Sequence, residues 1–298
     1  MEKENKPRAF RSFIKGFVIT LLVMIPAYIG VYYFATGNLK TIESESASEA
    51  VTSLPVSAPK SYNLLFCVSD KATGGLAAAT LLRFDTNDAR VVGCVFPLST
   101  VVLGNKAPAT ASEVFLAGGG EWLADSIEET FALPLSGYCS LDTEELAGLI
   151  DSLGEIEFSL EREIAVQNDE GLTVYSKSAG SGTFTGNDVA KLLVYGEYEN
   201  NAAVDVYQRL LKAAIAEYGR DGLSSKLFSY YGETVDRLDT NISLSGAYAL
   251  IKAVEYISCD GGVEYSPVWL EGSYAGGRFE LNENAAQKMT NHFGKAIS

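Results

Sequence analysis

Four polar residues of this sequence could bind a phosphate group. Ser99 and Thr100 carry hydroxyls, Gln208 carries an amide, and Arg83 carries a guanidinium whose planar fork fits phosphate oxygens. Each also has an ordinary alternative. Hydroxyls at turns and strand ends usually bond backbone groups, Gln208 fits a solvated helix face, and the strand position of Arg83 does not fix the face that it uses. The four residues are therefore weak candidates for a lipid-phosphate site.

Other polar residues give no stronger indication of chemistry. Asp70, Asp85 and Asp88 could bind a metal, but loop carboxylates near strand ends are mostly caps and turns. Three glycines at residues 118–120 precede a helical pattern, where they could cradle an anion or simply turn the chain. The single histidine, His292, excludes His-rich zinc sites and leaves little room for a Ser-His-Asp triad. No catalytic residue, metal site or cofactor is assigned from these residues.

Charge and cysteine content narrow the function classes. The chain has 298 residues and a formal net charge of −15, so nucleic acid is not an expected partner. Its four cysteines include no C-x-x-C pair. Three of them lie in apolar, strand-like runs, where a small buried thiol is the common explanation: Cys67, Cys94 and Cys139. We therefore expect mostly buried free thiols.

The N-terminal residues predict a membrane anchor. Residues 16–35 contain no charged side chain and are long enough to cross a bilayer as a helix. Residues 1–15 hold five basic and two acidic side chains, which predicts a cytoplasmic N-terminus and a domain outside the cytoplasmic membrane. The alternative is a cleaved signal peptide, but the apolar stretch is long and lacks an A-x-A site at its exit.

A stalk and one folded domain are expected after the anchor. Residues 36–60 are rich in Ser and Glu and contain two prolines, as in a flexible linker. Residues 61–298 form one domain's length of chain. The residues after position 15 include 18 basic and 36 acidic side chains, a net charge of −18. Such a domain repels anionic polymers unless its basic side chains are gathered locally.

Strands and helices alternate along the domain. Apolar runs bounded by turn residues predict strands at 62–68, 79–84, 90–96, 135–140, 156–160 and 164–175, the last turning at 168–171. A helix is expected after the glycine run and should end at Pro134, and Asp142 should cap a helix through Leu153. Helical spacing predicts further helices at 200–218, 243–256 and 282–292. The expected fold is an α/β domain, layered α-β-α around a central mixed sheet.

Several short segments, in this order, resemble the LytR–CpsA–Psr family of bacterial envelope proteins. The resemblance covers nearly the whole chain outside the stalk. It includes the anchor and six segments: Asn63-Leu64-Leu65-Phe66, Asp85-Thr86-Asn87, Val95-Phe96-Pro97-Leu98-Ser99-Thr100, Leu153-Gly154-Glu155-Ile156-Glu157, Thr185-Gly186-Asn187-Asp188-Val189-Ala190 and Gln208-Arg209-Leu210-Leu211-Lys212-Ala213. The resemblance implies a single-pass protein that transfers a glycopolymer from a polyprenyl diphosphate carrier to peptidoglycan with magnesium. It also implies that the lipid tail occupies an apolar pocket.

The sequence departs from the family pattern where the family has charged site residues. The expected Asp before the second strand falls on Ala77, and the Pro-Arg-Asp-Thr segment reads Pro97-Leu98-Ser99-Thr100. One expected arginine falls on Val194. The two arginines of an Asp-Phe-Gly-Arg-x-x-Arg-Gln segment fall near Ala203 and Val206, and only the Gln of that segment is kept, as Gln208.

Two functions therefore remain open. The first is a catalytically degenerate envelope protein that binds a polyprenyl-linked lipid, a cell-wall polymer or a partner protein. The second is an active phosphotransferase, with magnesium, whose cations come from other positions. A structural or adhesive role is a third, weaker option.

Overall fold

A computed structural model describes residues 60–104, 107–167, 170–195, 201–219, 230–232, 234, 238–258 and 263–294. The predicted cytoplasmic tail (1–15), anchor (16–35) and nearly all of the predicted stalk (36–60) lie outside these residues. Within the described residues, no helix is both long and apolar enough to span a bilayer.

The described domain contains fourteen named strands and six named helices. The strands are β1 (Tyr62–Ser69), β2 (Leu76–Asp85), β3 (Arg90–Phe96), β4 (Val101–Leu103), β5 (Pro108–Thr110), β6 (Gly137–Asp142), β7 (Ile156–Leu160), β8 (Ile164–Gln167), β9 (Thr173–Lys177), β10 (Gly180–Phe184), β11 (Asp239–Thr240), β12 (Glu264–Pro267), β13 (Gly272–Ala275) and β14 (Arg278–Leu281). The helices are α1 (Ala111–Phe131), α2 (Thr143–Leu153), α3 (Gly186–Tyr195), α4 (Asn201–Tyr218), α5 (Leu244–Ser258) and α6 (Ala285–Phe293).

A six-stranded mixed sheet forms the centre of the domain, with strand order β11-β6-β1-β2-β3-β12. Strands β1, β2 and β3 are antiparallel neighbours, whereas β6 runs parallel to β1 and β12 runs parallel to β3. Four two-stranded sheets lie outside it. The expected α/β fold with a central mixed sheet is confirmed.

Both faces of the central sheet are buried, because successive side chains of a strand point to opposite faces. On one face, Leu65, Leu81 and Cys94 pack with residues of α1 and α6. On the other face, Val68, Ala78 and Val95 pack with residues of α2, α3, α4, β7 and β10. The second set, which we call the α4-side cluster, includes Ala77, one of the positions at which the family pattern expects charged residues.

The starts of helices α1 and α2 are fixed by side-chain caps. Asp142 caps α2 as predicted, because its carboxylate accepts hydrogen bonds from Glu144 N and Glu145 N. Helix α1 begins earlier than predicted, at Ala111. Its start is fixed by a capping box in which Thr110 and Glu113 exchange hydrogen bonds. The glycine run therefore lies at a kink that separates two helical segments of α1.

Candidate functional site

Apart from Ser99, the positions at which the family pattern expects charged residues hold aliphatic residues, and the aliphatic side chains that are described pack into or against buried clusters. Ala77 is 4% exposed and belongs to the α4-side cluster, and Val194 and Val206 pack against the same cluster. Leu98 packs against the cluster on the opposite face of the sheet. The side chain of Ala203 lies outside the described residues. No guanidinium or carboxylate is present at these positions to bind a diphosphate or a metal.

Gln208, a polar residue kept from the family pattern, is buried and cross-links two parts of the domain. Its side chain is only 2% exposed, which corrects the expectation of a solvated helix face. Its Nε2 donates to the carbonyl oxygens of Gly93, at 3.3 Å, and Val268, at 3.0 Å, and its Oε1 accepts a hydrogen bond from the Tyr265 hydroxyl. Both amide donors and the amide oxygen are therefore used within the protein.

Gly93 allows this arrangement. A Cβ atom at residue 93 would lie 2.3 Å from the Tyr265 hydroxyl oxygen, so any other residue would displace the ring. Burial raises the pKa of the Tyr265 hydroxyl, which therefore remains a hydrogen-bond donor at neutral pH. The hydrogen bonds of Gln208 therefore connect helix α4 to the edge of the sheet that β3 and β12 form.

Ser99 and Thr100 lie in the turn that follows β3. Thr100 is fully buried, and its hydroxyl donates to the carbonyl oxygen of Pro97 at 2.6 Å. The Thr100 carbonyl accepts from Ala111 N and the Ser99 carbonyl accepts from Phe279 N. The Ser99 Oγ is buried and has no hydrogen-bond partner among the described residues. Thr100 is therefore a turn residue whose hydroxyl bonds a backbone carbonyl group, the ordinary alternative to phosphate binding.

Arg83 lies on the sheet face that packs against α1 and α6. It is 2% exposed, and its Nε lies 3.2 Å from an Asp85 carboxylate oxygen. Its Nη1 donates to Asn63 Oδ1 and to the Phe293 carbonyl oxygen, at 3.4 and 3.3 Å. Burial raises the pKa of Asp85, but the hydrogen bond and charge of Arg83 outweigh this effect and hold the pKa below its usual value. Arg83 is therefore a buried structural cation, placed on the opposite face from Gln208.

The candidate carboxylates form turns and ion pairs. Asp70 accepts hydrogen bonds from Ala72 N, Thr73 N and Thr73 Oγ1 within its own loop. Asp88 pairs with Arg90 at 2.9 Å. Among the described residues, no group of three or more His, Cys, Asp or Glu side chains could hold a metal ion. With Ala77 at the expected Asp position, the described residues do not fit the magnesium ion that the family pattern implies.

The glycine run turns the chain, which is the second of the two roles expected for it. Gly118 and Gly119 adopt non-helical angles inside α1, with φ of 68° at Gly119, and the helix resumes at Gly120. The Gly120 N–H donates to a carboxylate oxygen of Asp239 at 3.3 Å, and Tyr138 donates to the other oxygen at 2.9 Å. The N–H group that could bind an anion is thus occupied by a carboxylate of the protein itself.

Most of the described basic side chains are already paired with carboxylates. Eight of them form ion pairs: Lys71, Arg83, Arg90, Lys177, Arg209, Lys252, Arg278 and Lys288. Arg209, which follows Gln208, lies 2.9 Å from Asp205 and 3.2 Å from Glu161, and its guanidinium lies over the Phe158 ring at 5.7 Å. A carboxylate of the protein itself therefore already partners these eight basic side chains, Arg209 included.

A model of the LytR_cpsA_psr family matches residues 92–294 of this sequence. The chain belongs to the LytR_cpsA_psr family. Its members attach glycopolymers to peptidoglycan, which supports a role in the cell envelope. No curated protein matches this chain.

Solved structures of low sequence identity share the fold of the LytR_cpsA_psr domain. A protein from Eubacterium siraeum described as a transcription regulator has a TM-score of 0.70 at 16% identity, over 78% of this chain and 91% of that chain. TagV of Bacillus subtilis has a TM-score of 0.63 at 16% identity, over 79% and 96%. TagT bound to LIIa-WTA has a TM-score of 0.60 at 17% identity, over 78% and 89%. At these identities the similarity concerns the fold.

The four predicted phosphate-binding residues are not brought together within this LytR_cpsA_psr domain. Gln208 and Arg83 lie on opposite sides of the sheet, and Ser99 and Thr100 occupy the turn after β3. Sequence reasoning missed Tyr265 and Gly93, the partners of Gln208. The burial of Gln208 could have been predicted from its spacing. It lies four residues after Val204 and three before Leu211, which places it on the apolar stripe of α4.

Proposed function

We propose that this chain is a membrane-anchored, extracytoplasmic member of the LytR_cpsA_psr family that has lost the phosphotransferase reaction. It retains binding of a polyprenyl-linked lipid or of an envelope partner. The observation that carries the proposal is the apolar character of Ala77, Leu98, Val194 and Val206, all packed into or against buried clusters.

Electrostatics oppose the binding of a diphosphate at a site that has lost its cations. A diphosphate bears at least two negative charges, and moving it into a low-dielectric site without cations costs several kcal/mol. Removing one well-placed transition-state donor typically costs about 3 kcal/mol of barrier, and here several cations are absent together. The paired state of Arg209 and the burial of Arg83 leave neither free to replace them.

Lipid binding does not depend on those cations. Each buried CH₂ group contributes roughly 0.8 kcal/mol whatever the charge of the headgroup, so an isoprenoid tail can bind beside an aliphatic cluster. Polyprenol and polyprenyl monophosphate should therefore bind at least as well as the diphosphate. Competition among the three lipids for the purified chain, followed by native mass spectrometry, measures this order, and a strong preference for the diphosphate would contradict it.

The catalytic part of the proposal is tested by phosphate release. The full chain in detergent is incubated with a polyprenyl diphosphate-linked substrate and Mg²⁺, beside an active family member under the same conditions. We expect no magnesium-dependent release from this chain. Turnover comparable with the active member would support the second candidate, an active phosphotransferase, which the family membership itself favours. Arg209→Ala and Arg83→Ala would then be the first variants to compare.

The location is tested separately. With residues 16–35 as the anchor, protease added to intact spheroplasts should digest residues 61–298 and leave the N-terminal residues protected. A domain that is fully protected until the membrane is lysed would contradict this orientation.

A further inference from the structure

Helix α5 exposes a row of large side chains. The row has one residue every four positions: Leu244, Tyr248, Lys252 and Tyr256. Leu244, Tyr248 and Tyr256 are 58%, 55% and 39% exposed, and the side chain of Lys252 is 49% exposed. The opposite side of the same helix is buried through Ala247, Ile251, Ala253, Val254 and Ile257. The row is therefore a continuous ridge along the outer side of a helix that is anchored on its inner side.

This ridge concentrates the exposed apolar surface of the described domain. Eight large hydrophobic residues are exposed among the described residues, and three of them lie in this one row. The other five come from β4, α1, the β8–β9 turn and the segment after β12: Leu103, Leu116, Trp122, Leu172 and Trp269. Single exposed hydrophobic residues are normal, whereas three of them on one side of a helix, with the lysine stem of Lys252 between two of them, favour an interaction surface.

The charge of α5 also separates it from the rest of the domain. Its 15 residues include one Lys and one Glu, so the helix is neutral, whereas the chain carries a net charge of −15. Two copies of so acidic a chain repel one another over most surfaces. A neutral apolar ridge is where that repulsion is least and where burial of apolar area favours contact.

We propose that the α5 ridge is a homodimer interface, formed by two antiparallel copies of α5 about a two-fold axis near residue 250. An isologous interface requires a self-complementary surface, in which residue i contacts residue j and j contacts i. A two-fold axis at residue 250 pairs Leu244 with Tyr256 of the second copy, and Tyr248 with Lys252 of the second copy. The first pair is apolar, and the second places an ammonium beside an aromatic ring.

The contacts within one copy show that this pairing is chemically suitable. The Lys252 ammonium already lies 5.5 Å from the centre of the Tyr248 ring of its own chain, with Glu255 at 2.6 Å from its nitrogen. The second copy would add a second ring to the same cation and exclude water from it, which strengthens a cation–π contact. Ridges formed by residues four apart also interdigitate readily with an identical ridge.

The association is measured by sedimentation velocity on the full chain in detergent over a range of concentrations. We expect a reversible monomer–dimer equilibrium, and Tyr248→Glu should raise the dimer dissociation constant at least about tenfold, as expected for a central interface residue. Leu172→Glu, at an exposed leucine outside α5, is the matched control and should leave the equilibrium unchanged. Far-UV circular dichroism confirms that both variants are folded.

Lys252→Glu is a second variant that does not depend on the folding of the first, because residue 252 lies outside the core. It should also weaken the dimer. A monomer at all concentrations, a dimer that persists in both α5 variants, or an equal effect of Leu172→Glu would overturn the proposal.

The register is tested by cross-linking. Tyr248→Cys and Lys252→Cys are made in a Cys259→Ser background and mixed under mild oxidation. Disulfides between the two different variants should form faster than disulfides between identical ones. A predominance of 248–248 or 252–252 cross-links would place the axis elsewhere and refute the proposed pairing.

Discussion

The hydroxyl of Tyr265 on β12 donates a hydrogen bond to the side-chain oxygen of Gln208 on α4, across the surface of Gly93. Gln208, which is kept from the family pattern, therefore has a structural partner. The same amide also donates to two backbone carbonyl groups, so Gln208 bonds to both β3 and the segment after β12.

Replacing Gln208 by leucine should destabilise the domain. The substitution removes the acceptor of the Tyr265 hydroxyl and the Gln208 donor to the Val268 carbonyl oxygen, whereas the Gly93 carbonyl oxygen keeps its hydrogen bond from Val268 N. We therefore expect a loss of about 2–4 kcal/mol in the free energy of unfolding. Chemical denaturation measures the change. Gln287→Leu, on the exposed side of α6, is the matched control and should alter stability by less than about 0.5 kcal/mol.

Gly93→Ala should also destabilise the domain, for a steric reason. The new methyl group would lie 2.3 Å from the Tyr265 hydroxyl oxygen, so the ring would have to leave Gln208. We expect a loss of about 1–3 kcal/mol, typical of overpacking. Gly182→Ala provides the comparison, because its methyl group would meet nothing within 4 Å. Equal effects of the two substitutions on the melting temperature would contradict this account.

The stability contributed by Asp85 should depend on pH. Its pKa is lowered in the folded state, so its contribution is complete above the unfolded value of about 3.9 and is lost as pH falls through the folded value. At neutral pH, Asp85→Asn leaves the buried Arg83 without its carboxylate and should cost about 3 kcal/mol. The difference between wild type and variant should shrink below about pH 4. Urea titrations at pH 3 and pH 7 test this, with the exposed Asp88→Asn as control.

The three described cysteines should resist alkylation in the folded protein. Cys67, Cys94 and Cys139 are buried free thiols, which confirms the expectation from sequence for these three. Burial raises the pKa of Cys139 to about 12, so its reactive thiolate is scarce at neutral pH. Mass spectrometry after iodoacetamide treatment should find these thiols unmodified before denaturation and modified after it. Rapid labelling of the native protein would show that the strands open.

A disulfide between Cys67 and Cys139 is not expected even under oxidising conditions. In the parallel pair β1–β6, Cys139 lies opposite Phe66, one residue from Cys67. Neighbouring residues of a strand point to opposite faces, so the two thiols lie on opposite sides of the sheet.

The sequence predicted the parts of the fold that are governed by local pattern. Alternating apolar runs located β1, β3 and β7, and the carboxylate of Asp142 located the start of α2. The start of α1 was missed although Thr110 and Glu113 have the spacing of a capping box, because the three glycines gave a more prominent signal. The two-residue strand β11 has no pattern of its own, since it exists only by pairing with β6.

The candidate site was less predictable than the fold. The burial of Gln208 depends on Tyr265, which is 57 residues away in sequence, and the pairing of Arg83 depends on a carbonyl group 210 residues away. Such contacts are set by tertiary packing and leave no periodic signal. The family resemblance directs attention to Ala77, Val194 and Val206, but only the fold shows that all three lie in or against one buried cluster.

The amide of Asn63, on the first strand, donates to the carbonyl oxygen of Phe293, 230 residues later, at 2.6 Å. The same amide also donates to the carbonyl oxygen of Pro134, which is synthesised much earlier. During synthesis, one N–H group of Asn63 therefore has no native acceptor until residue 293 has been added. Contacts between such distant residues close large loops and form late. A nascent chain halted before residue 293 would expose the sheet face that α6 covers, and chaperones or proteases could recognise that face as a mark of incomplete synthesis.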